Sequence, residues 1–133
     1  MRPAYNKRRA RSVLIVDDDA GFLHFAGSVL REDGHQVVIA DSVRDGVNAI
    51  KTKKCDLILL DATLPGQTYR QALATFKGDL LLRDIPVVLV ADGFTLQDKE
   101  QALACRAVDL LPRSCGAGDL SLLVYRLLEQ SGG

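Results

Sequence analysis

The sequence has no long hydrophobic run and few cysteines, and each lack excludes a class of protein. No apolar stretch approaches the roughly 18 residues of a membrane-spanning helix, and the run at residues 13–16 is too short for a signal peptide. The three cysteines, Cys55, Cys105 and Cys115, are odd in number and lack CxxC spacing, which argues against a disulfide framework or a zinc knuckle. We therefore predict a soluble, cytoplasmic protein.

The chain has no excess of charge of one sign, because 17 Lys and Arg residues balance 17 Asp and Glu residues. The first 16 positions nevertheless hold five basic residues and no acidic one. The remaining 12 basic and 17 acidic residues give a formal net charge of −5, which argues against a folded nucleic-acid-binding surface. We interpret residues 1–11 as a flexible basic arm, which is either a solvated tail or a contact for a partner or nucleic acid.

Length and patterning indicate one folded domain. The chain has 133 residues, of which 47% are hydrophobic, and it has no internal repeat and no linker rich in Pro, Gly or Ser. Short apolar runs that predict strands buried on both faces alternate with segments of helical period; the runs are residues 13–16, 37–40, 57–60, 87–90 and 108–111. This alternation predicts an α/β fold, a doubly wound five-stranded parallel sheet with helices on both faces. The predicted domain covers residues 12–130, and residues 131–133 form a flexible tail.

Capping residues mark several of the predicted helices. Ser42 with Asp45 and Thr95 with Asp98 have the spacing of capping boxes, and they predict the starts of the second and fourth helices. Gly34 stands where the first helix would end. The third helix is predicted over residues 68–80.

Acidic residues follow two of the predicted strands. Strand one leads directly into Asp17, Asp18 and Asp19, and strand three ends at Asp61. In a sheet of order 2-1-3-4-5 these strands are neighbours, so their carboxyl ends bring Asp17, Asp18 and Asp61 together. Carboxylates about 4 Å apart repel by roughly 4 kcal/mol at an effective dielectric constant near 20, and Mg²⁺ with oxygen ligands removes that conflict. The alternative is that the consecutive aspartates only turn the chain and cap the first helix.

Three segments together make the sequence resemble a known family. They are residues 13–19, residues 56–66 and the Ile-Pro-Val-Val segment at residues 85–88. At these spacings they resemble the receiver domain of two-component response regulators, over residues 12–130. The resemblance implies a flavodoxin-like receiver fold with strand order 2-1-3-4-5, and a signalling module that is not an enzyme.

The resemblance also implies roles for individual residues. Asp61 matches the phospho-acceptor and a Mg²⁺ ligand, Asp18 a direct ligand, and Asp17 a ligand acting through water. The backbone carbonyl of Thr63 would supply another ligand, and Thr63 would influence how water attacks the phosphorylated form. The implied phosphodonor is a sensor histidine kinase or a phosphotransfer protein. Helix four, strand five and helix five form the implied partner or homodimer surface.

The sequence departs from the family at positions that propagate the signal. Ala91 stands where strand four usually ends in Thr or Ser, and Leu110 replaces the common aromatic residue of strand five. A hydrogen bond to a charged group is worth roughly 1.5–3 kcal/mol, so the missing hydroxyl would weaken the usual population shift. Arg113 replaces the Lys that pairs with the phosphoryl group. It keeps the charge, and it either binds phosphate with two donors or reaches Asp61 permanently.

Three functional interpretations therefore stay open. In the first, Asp61 accepts a phosphoryl group with Mg²⁺, and the domain alters its binding to a partner protein. In the second, the chain is a pseudo-receiver, a protein-interaction module that signals without phosphate. In the third and weaker one, it is an aspartate-nucleophile phosphohydrolase; such enzymes commonly carry a second acid two residues after the nucleophile, where this sequence has Thr63.

Overall fold

The computed structural model describes residues 11–131, in which five strands alternate with five helices. The strands are β1 (Ser12–Val16), β2 (Gln36–Ala40), β3 (Leu57–Asp61), β4 (Val87–Ala91) and β5 (Asp109–Pro112). The helices are α1 (Ala20–Glu32), α2 (Val43–Ile50), α3 (Tyr69–Lys77), α4 (Leu96–Ala104) and α5 (Ala117–Ser131). Apart from Arg11 and Ser131, the predicted flexible arm (1–11) and tail (131–133) lie outside the described residues, and both stay predictions.

The strands form one parallel sheet in the order β2-β1-β3-β4-β5, which confirms the predicted topology. Alternate residues of each strand point to opposite faces. On one face Val13 and Ile15 pack with α1 and α5, and on the other Leu14 and Val16 pack with α2 and α3. The core is therefore two apolar layers, one on each side of the sheet, as the doubly wound prediction requires.

The two edge strands are more exposed than predicted. Every residue of β1, β3 and β4 is buried. In β2, however, Gln36 and Ile39 are exposed, and in β5 only Leu111 is buried. The prediction that all five runs are buried on both faces is wrong for β2 and β5, because an edge strand has a neighbouring strand on one side only.

The end of α1 shows why a glycine is required there. The Gly34 N–H donates to the Arg31 carbonyl at 2.9 Å, and the His35 N–H donates to the Leu30 carbonyl at 3.0 Å. This pair of bonds is the Schellman motif, which needs a left-handed residue just beyond the helix. Gly34 supplies it with a φ of 93°, a conformation that costs glycine no steric energy.

The predicted helix starts agree with the structure, whereas one predicted end does not. The Thr95–Asp98 capping box is complete, with reciprocal bonds of 2.9 and 3.0 Å. Ser42 caps α2 by accepting from the Asp45 N–H at 3.1 Å. Helix α3 ends at Lys77 and not at residue 80, because Gly78 is its C-cap and the chain then turns.

Candidate functional site

The sheet topology brings three carboxylates together at the carboxyl ends of two neighbouring inner strands, β1 and β3. Val16 and Leu60 are paired across β1 and β3, so Asp17 and Asp61 emerge side by side from adjacent strand ends. Oxygens of Asp17, Asp18 and Asp61 lie within 4.8 Å of one another. Asp17 and Asp61 are 0% and 2% exposed, whereas Asp18 is exposed. The cluster thus consists of two buried carboxylates and one carboxylate that is exposed to solvent.

The three consecutive aspartates have different local roles. Asp19 is the N-cap of α1, and its Oδ1 accepts from the Gly21 N–H at 2.9 Å. The capping interpretation is therefore confirmed for Asp19. Asp17 instead turns inward, where its Oδ1 accepts from the Asp19 N–H at 2.9 Å. Capping does not account for Asp17 and Asp18, whose carboxylates belong to the cluster.

Thr63 fixes the carboxylate of Asp61. The Thr63 N–H and hydroxyl donate to the same oxygen, Asp61 Oδ1, at 2.9 and 3.0 Å. A guanidinium nitrogen of Arg113 approaches this oxygen to 2.9 Å as well. Within residues 11–131 no hydrogen bond to Asp61 Oδ2 is found. One oxygen of Asp61 is thus held by two hydrogen bonds and an ion pair, and the other is available for a ligand or a reaction.

Arg113 reaches into the acidic cluster. Its backbone N–H donates to the Ala91 carbonyl at 2.8 Å, an extension of the β4–β5 ladder that fixes where the side chain starts. Its Nη1 donates to Asp17 Oδ2 at 2.9 Å, while its Nη2 lies 2.9 Å from Asp61 Oδ1. Arg113 therefore bridges the two buried carboxylates. That it reaches Asp61 permanently, or instead binds a phosphate group with two donors, stays a prediction.

Three further groups surround the guanidinium at the rim of the cluster. Asp19 and Asp92 place carboxylate oxygens 3.7 Å from Arg113 Nη1 and 3.6 Å from Nε. The Phe22 ring lies beneath, with its centroid 5.1 Å from Arg113 Cζ, a cation–π distance. A cavity of about 280 Å³ adjoins this group and is lined by Asp19, Gly21, Phe22, Phe25, Arg113, Ser114 and Cys115.

Burial and ion pairing shift the pKa values of Asp17 and Arg113. Burial raises the pKa of Asp17, and the nearby charge of Asp61 acts in the same direction against the Asp19 and Arg113 hydrogen bonds. Burial alone would lower the pKa of Arg113. The hydrogen bond to Asp17 and the charges of Asp17, Asp61 and Asp92 outweigh burial, so this pKa is raised and the guanidinium stays charged.

Ala91 and Leu110 lie on the neighbouring strands β4 and β5. Ala91 ends β4 beside Pro112 and is 8% exposed. It lines an apolar cavity of about 160 Å³ next to Thr63 and Tyr69. Leu110 is partly buried against the core layer that contains α4. Neither side chain carries a polar group that could contact a ligand on Asp61.

The donor set of the cluster fits a hard divalent cation. Its three carboxylates supply only oxygen, the ligand type that Mg²⁺ prefers, and Asp18 faces solvent, from which the ion would bring its remaining water ligands. The three side chains carry three formal negative charges, and Arg113 balances one of them. The cluster therefore keeps a net negative charge that attracts a cation.

Sequence reasoning missed three contacts of the site. Phe22 is recognisable only as an inward residue of α1. Asp92 follows strand four, where the sequence favours a turn role over a place at the mouth of the pocket, so neither contact with Arg113 is predicted. The Tyr69 hydroxyl lies 3.4 Å from Gln101 Oε1 and links α3 to α4. The sequence separation of 32 residues gives no signal for this pair.

Comparison with known proteins agrees with this geometry. The family described as the response regulator receiver domain matches residues 13–125. The chain belongs to this family. Among curated relatives, the receiver domain is 34% identical over 121 residues to the phosphate regulon transcriptional regulatory protein PhoB of Escherichia coli (strain K12), covering 91% of this chain and 53% of that protein. It is 34% identical over 88 residues to protein PilH of Pseudomonas aeruginosa, covering 66% of this chain and 69% of PilH.

Solved structures share the same fold. The signal receiver domain of a histidine kinase from Syntrophus aciditrophicus matches with a TM-score of 0.79 and 29% identity, over 91% of this chain and 92% of that one. The chemotaxis response regulator CheY4 of Vibrio cholerae matches with a TM-score of 0.83 and 19% identity, over 90% and 99%, which is a likeness of fold alone. The receiver domain spans about half the length of PhoB.

Family membership carries several general properties. Receiver domains are signalling modules of two-component systems, they interact with histidine kinases or phosphotransfer proteins, and they typically bind Mg²⁺ at an acidic pocket. Within the part of the chain that the structure describes, no helix has the length and apolar character needed to cross a membrane.

Proposed function

We propose that Asp61 accepts a phosphoryl group from a sensor histidine kinase or a phosphotransfer protein, and that the phosphorylated domain alters its binding to a partner. The observation that supports this is the asymmetric environment of Asp61. Its Oδ1 is held by Thr63 and Arg113, and its Oδ2 accepts no hydrogen bond within residues 11–131. A carboxylate held in this way presents one oxygen in a fixed direction, and phosphoryl transfer depends mainly on such positioning.

In the proposed transfer, Asp61 Oδ2 attacks the phosphorus of the donor phosphohistidine. A P–O bond forms, the P–N bond breaks, and the leaving imidazole nitrogen takes up a proton. Thr63 holds Asp61 Oδ1 throughout, while the Arg113 guanidinium is close enough to donate to the phosphoryl oxygens. The product is an acyl phosphate, a covalent species that serves as the signal.

The residues that would hold Mg²⁺ are Asp17, Asp18, Asp61 and the backbone carbonyl of Thr63. Mg²⁺ in this position supplies neutralisation of charge on the transferred group. Asp17 and Asp61 are buried, so their charges attract a cation through little intervening water, and Asp18 is exposed to solvent.

We place the partner or homodimer surface on α4, β5 and α5. This face exposes three large apolar side chains, Leu103, Val108 and Leu122, at 44%, 41% and 41%. We further propose that the domain acts in the cytoplasm without enzymatic turnover and without direct contact with nucleic acid. Sedimentation velocity with and without beryllofluoride tests the homodimer, since self-association through this face is expected only in the activated form.

The pseudo-receiver is the second candidate function, and one observation favours it. Arg113 bridges Asp17 and Asp61, so the pocket already contains a cation. Ala91 also lacks the hydroxyl that would contact a phosphoryl oxygen. A domain locked by this bridge could display a constant surface to its partner and use no phosphate.

Intact-mass spectrometry distinguishes these candidates. The wild-type protein is incubated with Mg²⁺ and acetyl phosphate, beside Asp61→Asn and the control Asp84→Asn, whose exposed side chain lies outside the cluster. We expect one phosphoryl adduct on the wild type and on Asp84→Asn, and none on Asp61→Asn. A folded wild-type protein that gains no adduct and binds no beryllofluoride is the result the pseudo-receiver requires. Steady turnover of phosphate esters would instead support the hydrolase.

A further inference from the structure

Arg113 contacts two buried carboxylates at once, through two nitrogens of one planar guanidinium. Its Nη1 and Nη2 lie 2.9 Å from Asp17 Oδ2 and 2.9 Å from Asp61 Oδ1. A planar fork can satisfy two carboxylates with two nitrogens, whereas a lysine ammonium is a single point charge. The Arg113 side chain is only 16% exposed, so these ion pairs are largely shielded from water.

We infer that Arg113 closes the acidic pocket as an internal counter-ion, and that a divalent cation binds fully only after the guanidinium has left Asp17. This inference rests on the Mg²⁺ site of the proposed function. Arg113 is thus a positioning residue that sets how strongly the resting domain binds the metal.

The hydrogen bonds of Asp17 support this competition. Its Oδ1 accepts from the Asp19 N–H and its Oδ2 accepts from Arg113, both at 2.9 Å. A metal ion that binds Asp17 Oδ2 would share that oxygen with a positively charged donor. Two cations on one oxygen repel strongly at this burial, because little water lies between them. With Arg113 in place, the ion is left with Asp18, Asp61 Oδ2 and the backbone carbonyl of Thr63.

The rim of the pocket offers the guanidinium a second position. Asp92 Oδ1 is 3.6 Å from Nε, and Asp19 Oδ2 is 3.7 Å from Nη1, so a small outward movement would bring both within hydrogen-bond distance. Phe22 lies beneath the guanidinium at 5.1 Å and can stack on it in either position. The adjoining cavity of about 280 Å³ provides the space. Arg113 therefore has partners both inside the pocket and at its rim.

The test measures Mg²⁺ binding to the full chain by isothermal titration calorimetry, without any phosphodonor. The variants are Arg113→Ala, which removes charge and bridge, and Arg113→Lys, which keeps the charge on a single ammonium nitrogen and loses the planar two-nitrogen fork. Arg83→Ala is the matched control, because Arg83 is exposed in the loop that follows α3. We expect Arg113→Ala to bind Mg²⁺ about tenfold more tightly than the wild type or better. We expect Arg113→Lys to lie between them, and Arg83→Ala to match the wild type.

Thermal unfolding supplies a second readout. In EDTA, Arg113→Ala is expected to melt below the wild type, because Asp17 and Asp61 lose their shared counter-ion. Mg²⁺ should raise its melting temperature by more than it raises that of the wild type, because tighter binding to the folded state stabilises it more. If Arg113→Ala does not fold in EDTA, the Mg²⁺ affinity of Arg113→Lys decides the question.

Two results would overturn the inference while leaving the metal site intact. One is Arg113→Ala binding Mg²⁺ no more tightly than the wild type. The other is that Arg113→Lys binds Mg²⁺ as tightly as the wild type while Arg113→Ala binds it more tightly. This would mean that only the positive charge at position 113, and not the two-carboxylate contact, weakens Mg²⁺ binding. If none of the proteins binds Mg²⁺, the inference falls together with the proposed metal site. If the expected order of affinities holds and no phosphoryl adduct forms on Asp61, only the proposed function fails.

Discussion

Thr63 donates two hydrogen bonds to a single oxygen of Asp61, from its backbone N–H at 2.9 Å and from its hydroxyl at 3.0 Å. The two residues are separated by one position in the loop that follows β3, so the loop folds back on the carboxylate that precedes it. This arrangement fixes the rotation of the Asp61 side chain. Thr63 is itself exposed, and it belongs to the site because it holds the carboxylate of Asp61.

Removing the hydroxyl of Thr63 tests this arrangement. Thr63→Val keeps the branched shape and the backbone donor, and it removes one of the two hydrogen bonds to Asp61 Oδ1. We expect the free energy of unfolding to fall by about 1 kcal/mol, the usual net value of one hydrogen bond. Urea unfolding at neutral pH without Mg²⁺ measures the change, and Thr63→Ser should recover most of the loss. Equal stability of the Val variant and the wild type would mean that the backbone N–H and Arg113 hold Asp61 on their own.

A hydroxyl introduced at the end of β4 tests the signalling consequence of Ala91. Ala91 lines the cavity of about 160 Å³ beside Thr63, so the additional atoms of a threonine have space. Under the proposed function, Ala91→Thr should bind beryllofluoride with Mg²⁺ about tenfold more tightly, because a hydrogen bond to a charged group is worth about 1.5–3 kcal/mol. Ala91→Val has the same shape without the donor and serves as the control. The hydroxyl has no role if the Thr and Val variants bind the anion equally.

Much of the fold follows from local pattern in the sequence. Apolar runs alternate with helical segments, and Gly34, Ser42 and Thr95 mark helix ends where the structure has them. The convergence of Asp17 with Asp61 needs one further step, the strand order, which places β1 beside β3. The apolar pattern gave a wrong prediction of burial for β2 and β5. Burial of an apolar run depends on the place of its strand in the sheet, which the run itself does not encode.

The orientation of Arg113 could not be predicted in the same way. Its position after β5 follows from the sequence, but a long side chain has many rotamers. Its partner Asp17 is also 96 positions away in the sequence. The contact with Asp17 and Asp61 depends on which carboxylates lie within reach of one backbone position. That position is set by the bond between the Arg113 N–H and the Ala91 carbonyl.

His35 is expected to make stability depend on pH below neutrality. It lies between α1 and β2 and is 6% exposed. Burial lowers its pKa, and the charge of Arg11 adds to this, against the raising effects of Asp33 and Asp56. The unfolded chain therefore binds a proton more readily than the folded one. Stability is full above the unfolded pKa of about 6.5 and is lost as the pH falls toward the lower pKa of the folded state.

The His35 prediction is measured by urea unfolding at several pH values between 5 and 8. His35→Gln removes the titrating group, so the loss of stability on acidification should be smaller in this variant than in the wild type, by up to about 1.4 kcal/mol per pH unit. His24→Gln is the matched control for the loss of an imidazole, since His24 is exposed on α1. An unchanged slope in His35→Gln would assign the acid sensitivity to other groups.

Gly46 allows α2 to lie close against β1. A Cβ at this position would lie 2.9 Å from Val16 Cγ2 and 3.3 Å from Leu14 Cδ2, both in fully buried side chains. Overpacking a core costs about 1–3 kcal/mol, whereas alanine gains about 1 kcal/mol over glycine within a helix. We therefore expect Gly46→Ala to lower the free energy of unfolding by about 1 kcal/mol.

Gly118→Ala is the matched control for this substitution, because no atom lies within 4 Å of a Cβ added there in α5. It should be neutral or slightly stabilising, so that the difference between the two variants isolates the contact with β1. Because Val16 immediately precedes Asp17, displacement of β1 in Gly46→Ala should also weaken Mg²⁺ binding, whereas Gly118→Ala should leave it unchanged. If Gly46→Ala unfolds at the same urea concentration as Gly118→Ala, the close approach of α2 to β1 does not limit stability, and Asp17 is not positioned by this packing.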